Sequence, residues 1–287
     1  MIENKVENKQ ELKLLQKKTP ISLLPNALTI LGVSLGLSSI KFALDMNYTL
    51  AVIAIGLAAI LDTLDGRVAR LIKGTSKVGK ELDSLTDVIS FGVAPSFIMY
   101  FWVLNEIGKF GWMLVLIYTV CCALRLARFN LTTINETESW KINFFEGVPS
   151  PAAAGLVLLP LILSLSDIVQ ILNLKEIIQI LNLSNIFQIQ NNNIISAIVI
   201  LIISILMVSK IPTYSLKRIS IPRSLGGFLL LGIGIYISGL IFFTFEVLFF
   251  TGLIYIVLIP ISFFHNKHLK KKYSTTTTQE DEIEDIL

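Results

Sequence analysis

The chain has 287 residues, of which 53% are hydrophobic and 16% charged, with a formal net charge of +3 and a mean hydropathy of +0.72. A soluble domain carries about a quarter charged residues, so the composition excludes a soluble enzyme and leaves no basic face for nucleic acid. It is the composition of a polytopic membrane protein.

Residues 1–20 form a polar, lysine-rich leader without a small-residue cleavage site, so no cleavable signal peptide is expected. Within it, residues 2–18 read either as an amphipathic helix on anionic lipid or as a flexible basic tail that fixes topology. A crossing needs about 20 apolar residues, and the pattern predicts eight: 21–43, 49–70, 83–103, 111–129, 148–166, 193–209, 225–243 and 246–264. The expected fold is therefore an all-α, polytopic transmembrane helical bundle. Its core covers 21–225, followed by two additional C-terminal helices over 226–264. A low-complexity insertion interrupts the core at 167–192, where IVQILNL at 168–174 recurs as IIQILNL at 177–183. That nine-residue period is half a turn out of phase with a helix. The insertion is expected to lie at the outer membrane surface, a specific binding element being the alternative. Residues 265–287 read as a disordered tail. Cys121 and Cys122 read as apolar packing residues, and His265 and His268 receive no chemical role.

Charge sets the orientation. Of the 24 Lys and Arg residues, all but Lys41, Lys109 and Lys175 fall in one set of alternate connections, in the leader and tail, or at adjoining helix ends. The positive-inside rule then places both termini in the cytoplasm, together with the connection between the second and third helices.

That connection joins two unusual helix ends. The first carries Asp62-x-x-Asp65-Gly66-x-x-Ala69-Arg70; after eight residues the second carries Gly79-x-x-x-Asp83-x-x-x-Asp87. A carboxylate at the centre of a membrane helix costs roughly 2.5–3.5 kcal/mol on insertion scales. Asp62 and Asp65 share a helix face at i, i+3; Gly79, Asp83 and Asp87 share one at i, i+4. Two antiparallel helices would aim all four carboxylates at one point, a hard-oxygen site suited to Mg²⁺ or Mn²⁺ bridging phosphates. The alternative is simple ion pairing with Arg67, Arg70 or Lys80, which needs no glycine.

The pattern D-x-x-D-G-x-x-A-R-x8-G-x-x-x-D-x-x-x-D, matched here at every fixed position, resembles the signature of the CDP-alcohol phosphatidyltransferases. The resemblance covers roughly 20–225. It implies a CDP-activated lipid as donor and two divalent ions, held by Asp62, Asp65, Asp83 and Asp87, bridging its phosphates. Asp87 is implied as the general base for the incoming alcohol. Gly66 and Gly79 would admit the nucleotide close to the backbone, Ala69 would keep the next turn slim, and Arg70 would fork onto a phosphate oxygen. Pro25-Asn26-x-x-Thr29 resembles a further family feature near the nucleotide, implying contacts from Asn26 and Thr29; the same residues also suit a plain helix start.

Three further segments resemble the integral-membrane phosphatidylserine synthases: Ser90-Phe-Gly-Val-Ala-Pro95, Leu124-Arg-Leu-Ala-Arg-Phe-Asn130 and Phe145-Glu-Gly-Val-Pro-Ser-Pro-Ala152. They imply L-serine as acceptor and CDP-diacylglycerol as donor. Ser90, Arg125 and Arg128 are the acceptor-site candidates, the arginines for the serine carboxylate. The two arginines equally suit topological anchoring, and Gly147, Pro149 and Pro151 equally suit shaping a helix start. Glycerol-3-phosphate is the rival acceptor, and a cation-coupled transporter the rival class, although transporters carry paired repeats and the aspartate hairpin has no second copy. The resemblance also implies a homodimer in the cell membrane with its site at the cytoplasmic face.

Overall fold

The computed structural model describes residues 24–72, 77–131, 144–168, 192–215 and 225–284. The leader 1–20 and nearly all of the insertion 167–192 lie outside the described residues. The chain divides into two compact units at Ile98.

The first unit opens with α1 (Leu24–Leu44) and α2 (Tyr48–Leu71). The turn between them places Met46 in the left-handed region, at φ 58°. Asn47 then caps α2, its side-chain oxygen accepting from Leu50 N–H at 3.2 Å, which satisfies one of the open N–H groups of the first turn. Lys41 pairs with Asp45 at the end of α1. The buried positions of α1 are Pro25, Thr29, Gly32, Gly36, Ser39 and Ala43, alternating steps of four and three along one face. Nearly all are small, which lets two backbones approach closely, as apolar helices in lipid require. α2 meets that stripe with Ala51, Ala54, Ile55 and Ala58, while Ile30, Leu31, Leu37 and Leu44 of α1 point outward.

α3 (Lys77–Asp87) runs without a break into a π-helical turn (Val88–Val93) and α4 (Ala94–Trp102). The expected start at 83 is six residues late: helix already surrounds Gly79 and Asp83. The π turn is shown by Ala94 N–H donating to Ile89 C=O, an i→i+5 bond. Pro95 has no N–H to give to the carbonyl of Phe91, and the wider turn relieves the crowding its ring would cause there.

In the second unit a 3₁₀ turn (Leu104–Ile107) leads into α5 (Lys109–Leu131). Then come β1 (Phe144–Glu146), α6 (Ser150–Val157), α7 (Leu159–Leu165), α8 (Asn192–Val208), β2 (Pro212–Tyr214), α9 (Gly226–Phe242) and α10 (Thr244–Glu284). α8 packs on α5 and α6; α10 packs on β2, α7 and α9. β1 and β2 pair antiparallel, Phe144 opposite Tyr214, with their rings stacked at 5.6 Å. This short hairpin is an addition to the all-α expectation. Gly147 comes directly after β1 at φ 73°, where a Cβ would stand 2.6 Å from Met207 C=O and 2.9 Å from Ser209 C=O. Only glycine fits that turn, so the sequence Glu146-Gly147-Val148-Pro149 closes β1 onto the end of α8.

The helices form a membrane-type bundle. Among the described residues five are long and apolar enough to cross a bilayer: 24–44, 48–71, 78–102, 109–131 and 244–267. Three of the eight expected spans depart from that description. The span expected at 148–166 is divided at Leu158, because Pro160 enters at the first turn of α7 and cannot continue a hydrogen-bond ladder from α6. The helices 193–208 and 226–242 are apolar but shorter. α9 buries none of its residues. The tail expected to be disordered continues α10 to Glu284. Elongating an existing helix avoids the nucleation cost that a separate segment would bear.

Candidate active site

Asp62 and Asp65 lie on the last turns of α2, Asp83 and Asp87 on the last turns of α3, all within segments apolar enough to cross a membrane. One carboxylate oxygen from each of Asp62, Asp83 and Asp87 lies within 4.8 Å of the others. These helices are held together from a third side: α2 and the α3–π rod both pack on α1, and direct contact between α2 and α3 is slight. The three carboxylates thus face one another across a gap.

Asp65 stands apart from that trio. It is 5% exposed, and its Oδ2 accepts from Thr29 Oγ1 at 2.7 Å. The same hydroxyl lies 3.0 Å from Pro25 C=O. A hydroxyl has one proton, so it serves one of these acceptors at a time. Thr29, expected beside the nucleotide, is therefore also the residue that holds the fourth carboxylate. Asn26, half-buried on the first turn of α1, is one residue past Pro25.

Three anions this close repel by about 3–4 kcal/mol per pair at an effective dielectric of 20. A pure oxygen donor set of this kind fits Mg²⁺ or Mn²⁺. Arg70 does not neutralise it, since its Nε donates to Gly66 C=O on its own helix at 3.0 Å. Gly66 is exposed, and nothing in the described chain lies within 4 Å of where its Cβ would be. Packing therefore does not call for glycine there, and the open space suits a group the chain itself does not supply. Ala69 and Gly79 are half-buried on the same two helices.

Ser90, on the π turn, is 1% exposed; its Oγ donates to Gly32 C=O at 3.4 Å and lies against Gly36. Its hydroxyl is turned into the α1 interface. Arg125 and Arg128 belong to the second unit. Arg125 is 8% exposed and donates from Nη1 to Ser150 Oγ at 3.0 Å, at the first residue of α6. Arg128 Nη1 donates to Val208 C=O at 2.7 Å. That is the last residue of α8, where a cation also meets the negative end of the helix dipole. The two arginines share a helix face but serve different elements. Thr213 Oγ1 closes the same region by donating to Gly147 C=O at 2.8 Å.

Sequence reasoning missed three features here. The π turn had one local sign, Pro95 eight residues after Asp87 in an otherwise helical run. The Thr29–Asp65 bond joins residues 36 apart and had none. Nor did the bond between Tyr214 Oη and His265 Nδ1, 2.8 Å, which ties the β hairpin to α10.

A family model described as CDP-alcohol phosphatidyltransferase matches residues 22–184. Among curated proteins, a CDP-diacylglycerol--serine O-phosphatidyltransferase of Mycobacterium leprae is 44% identical over 146 residues, covering 50% of this chain and 48% of that protein. One from Helicobacter pylori strain 26695 is 45% identical over 144 residues, covering 50% of this chain and 59% of its own. One from Bacillus subtilis is 35% identical over 149 residues, covering 52% of this chain and 80% of its own. The chain thus spans about half the length of the mycobacterial relatives it matches. The family match covers more than half of this chain and includes all four aspartates; on that basis the chain belongs to the CDP-alcohol phosphatidyltransferases.

Proposed function

We propose that this protein transfers the phosphatidyl group of CDP-diacylglycerol to L-serine, releasing CMP and forming phosphatidylserine. The observation that carries the chemistry is the convergence of Asp62, Asp83 and Asp87; the acceptor rests on the names of the relatives. Asp62, Asp83 and Asp87 would hold the divalent ions, with Asp65 joining them as Thr29 turns its proton to Pro25. When bound, Mg²⁺ or Mn²⁺ supplies Lewis-acid polarisation of the pyrophosphate and neutralises charge on the departing phosphate. Asp87 takes the proton of the serine hydroxyl as its oxygen bonds to the lipid-side phosphorus, and the bond from that phosphorus to the CMP oxygen breaks. Gly66, Ala69 and Gly79 leave room for the nucleotide, Asn26 lies at its edge, and Arg70 holds a phosphate oxygen. Arg125 and Arg128 recognise the serine carboxylate.

Purified protein given CDP-diacylglycerol, Mn²⁺ and radiolabelled serine should yield labelled lipid and CMP. Labelling from glycerol-3-phosphate instead of serine would move the acceptor to the rival polyol phosphate. Neither product, with cation flux in vesicles, would make the protein a transporter. Arg125→Lys gives a sharper test of the acceptor. Lysine cannot keep the bond to Ser150 and also fork onto a carboxylate. Loss of a hydrogen bond to a charged group is worth about 1.5–3 kcal/mol, so KM for serine should rise roughly ten- to a hundredfold. KM for CDP-diacylglycerol should hardly move. A weaker donor with unchanged serine kinetics would assign Arg125 to the phosphates.

The proposal includes a cell-membrane location, eight crossings with both termini in the cytoplasm, and a homodimer. The charge asymmetry supports the orientation; family resemblance alone supports the dimer. Helices of 16–17 residues cover about 25 Å of a roughly 30 Å hydrocarbon layer, a mismatch that local thinning absorbs. With Cys121 and Cys122 replaced by alanine, Lys210→Cys should react with an impermeant maleimide only from the cytoplasmic side, and Lys109→Cys only from outside. The reverse pattern would invert the site.

A further inference from the structure

The metal-binding reading leaves open what sets the distance between Asp62 and the Asp83–Asp87 pair. α2 and α3 barely touch each other, so neither positions the other. α1 touches both. Along α2 its hold is spread over a long stripe of small residues and the Thr29–Asp65 bond. Against the α3 rod it includes one very close contact. A Cβ at Gly36 would stand 2.5 Å from Ser90 Oγ, 2.9 Å from Ser90 Cα and 3.0 Å from Ser90 Cβ. This is backbone against backbone, and rotating a side chain cannot relieve it. Gly32, one turn earlier on the same stripe, is different: its Cβ would meet Leu61 Cβ and Thr86 Cγ2 at 3.9 Å, ordinary contact.

Ser90 lies three residues after Asp87 and within the π turn, so the contact is made where the rod departs from α geometry. The extra residue of a π turn shifts the helical phase of α4 relative to that of α3. Ser90 therefore faces α1 while Asp87, less than a turn away, contributes to the carboxylate trio.

We propose that the seating of Ser90 on Gly36 makes these two residues positioning residues for the carboxylate cluster, fixing the α3 aspartates against those of α2. This rests on the reading of the trio as a divalent-cation site. It gives Ser90 a role in place of acceptor contact, and it gives Gly36 a role the motif does not assign. Any side chain at 36 pushes the π turn off α1, and the displacement passes through less than a turn of rigid helix to Asp87 and on to Asp83.

The test is Mn²⁺ binding to the full-length protein in detergent, read as loss of the free-ion electron paramagnetic resonance signal, beside turnover and serine KM. Outer supports of a metal site change affinity or activity about 10- to 100-fold when altered, and Gly36→Ala should weaken Mn²⁺ binding and turnover by that order with serine KM unchanged. Gly32→Ala should bind Mn²⁺ like the wild type. Adding Ser90→Gly to Gly36→Ala removes the Oγ and Cβ that collide and should restore most of the affinity, which a general loss of stability would not do. If Gly36→Ala does not yield folded protein, Ser90→Thr, which adds a methyl against the same glycine, carries the same expectation. Wild-type Mn²⁺ affinity in the folded variant, or failure of the double variant to recover, overturns the proposal. An Asp83→Asn control separates the two levels. If it binds Mn²⁺ normally, the metal reading itself is wrong; if it loses Mn²⁺ while Gly36→Ala does not, only the seating idea falls.

Discussion

Asp83→Asn should lower turnover by more than about 10²-fold, several kcal/mol of transition-state stabilisation, while leaving the bundle folded. The side chain is half-buried at the gap between α2 and α3 and shares the trio with Asp62 and Asp87. Asparagine keeps the shape but removes one of the charges that make the cluster a cation site. Raising Mn²⁺ should recover little of the loss. Near-wild-type turnover at saturating Mn²⁺ would falsify the metal assignment. Thr29→Val makes an instructive contrast. It preserves shape and removes only the hydrogen bond to Asp65, so Asp65 is freed while the trio is intact. Its effect should be the smaller of the two and confined to the metal concentration required, with chemistry at saturation largely preserved.

Asp87→Asn is expected to have the second large effect, with a different signature. The amide oxygen can still face a cation, but the group can no longer accept a proton. Turnover should fall strongly while CDP-diacylglycerol binding survives, the pattern of an interaction made only in the transition state. A binding assay with the lipid nucleotide, run beside kcat, distinguishes this from a ligand role. Equal loss of donor affinity would make Asp87 a holder of metal and leave the base to be found elsewhere.

The spacing of the aspartates made their grouping legible, because i, i+3 and i, i+4 positions share a helix face whatever the rest of the chain does. Their spacing left open which of them would meet. Asp65 is drawn to Thr29 by a contact between helices, and no local pattern encodes it. The Arg125–Arg128 pair shows the same division. Its shared face was readable, but its separate partners, Ser150 and Val208, depend on how α6 and α8 pack. Strands of three residues such as 144–146 fall below any periodic signal, and their pairing with 212–214 bridges a long stretch of sequence. Pro160 was visible in the chain, yet the apolar run around it read as one span; the structure divides that run at Leu158. The tail misled in the opposite direction, its polar composition hiding the advantage of continuing a helix already formed.

The stripe on α1 has a bearing on how this protein can vary. Thr29 serves Asp65 and Gly36 serves Ser90, and seven residues separate them, two turns of one helix. A single residue inserted between them would swing one partner about 100° around the axis, so that either the fourth carboxylate or the π turn loses its seat. Substitutions on the outward side of α1, at Ile30, Leu31 or Leu37, meet only lipid and can drift among apolar side chains. Descendants of this chain should therefore exchange letters on α1 freely on one side, yet neither gain nor lose one between Thr29 and Gly36.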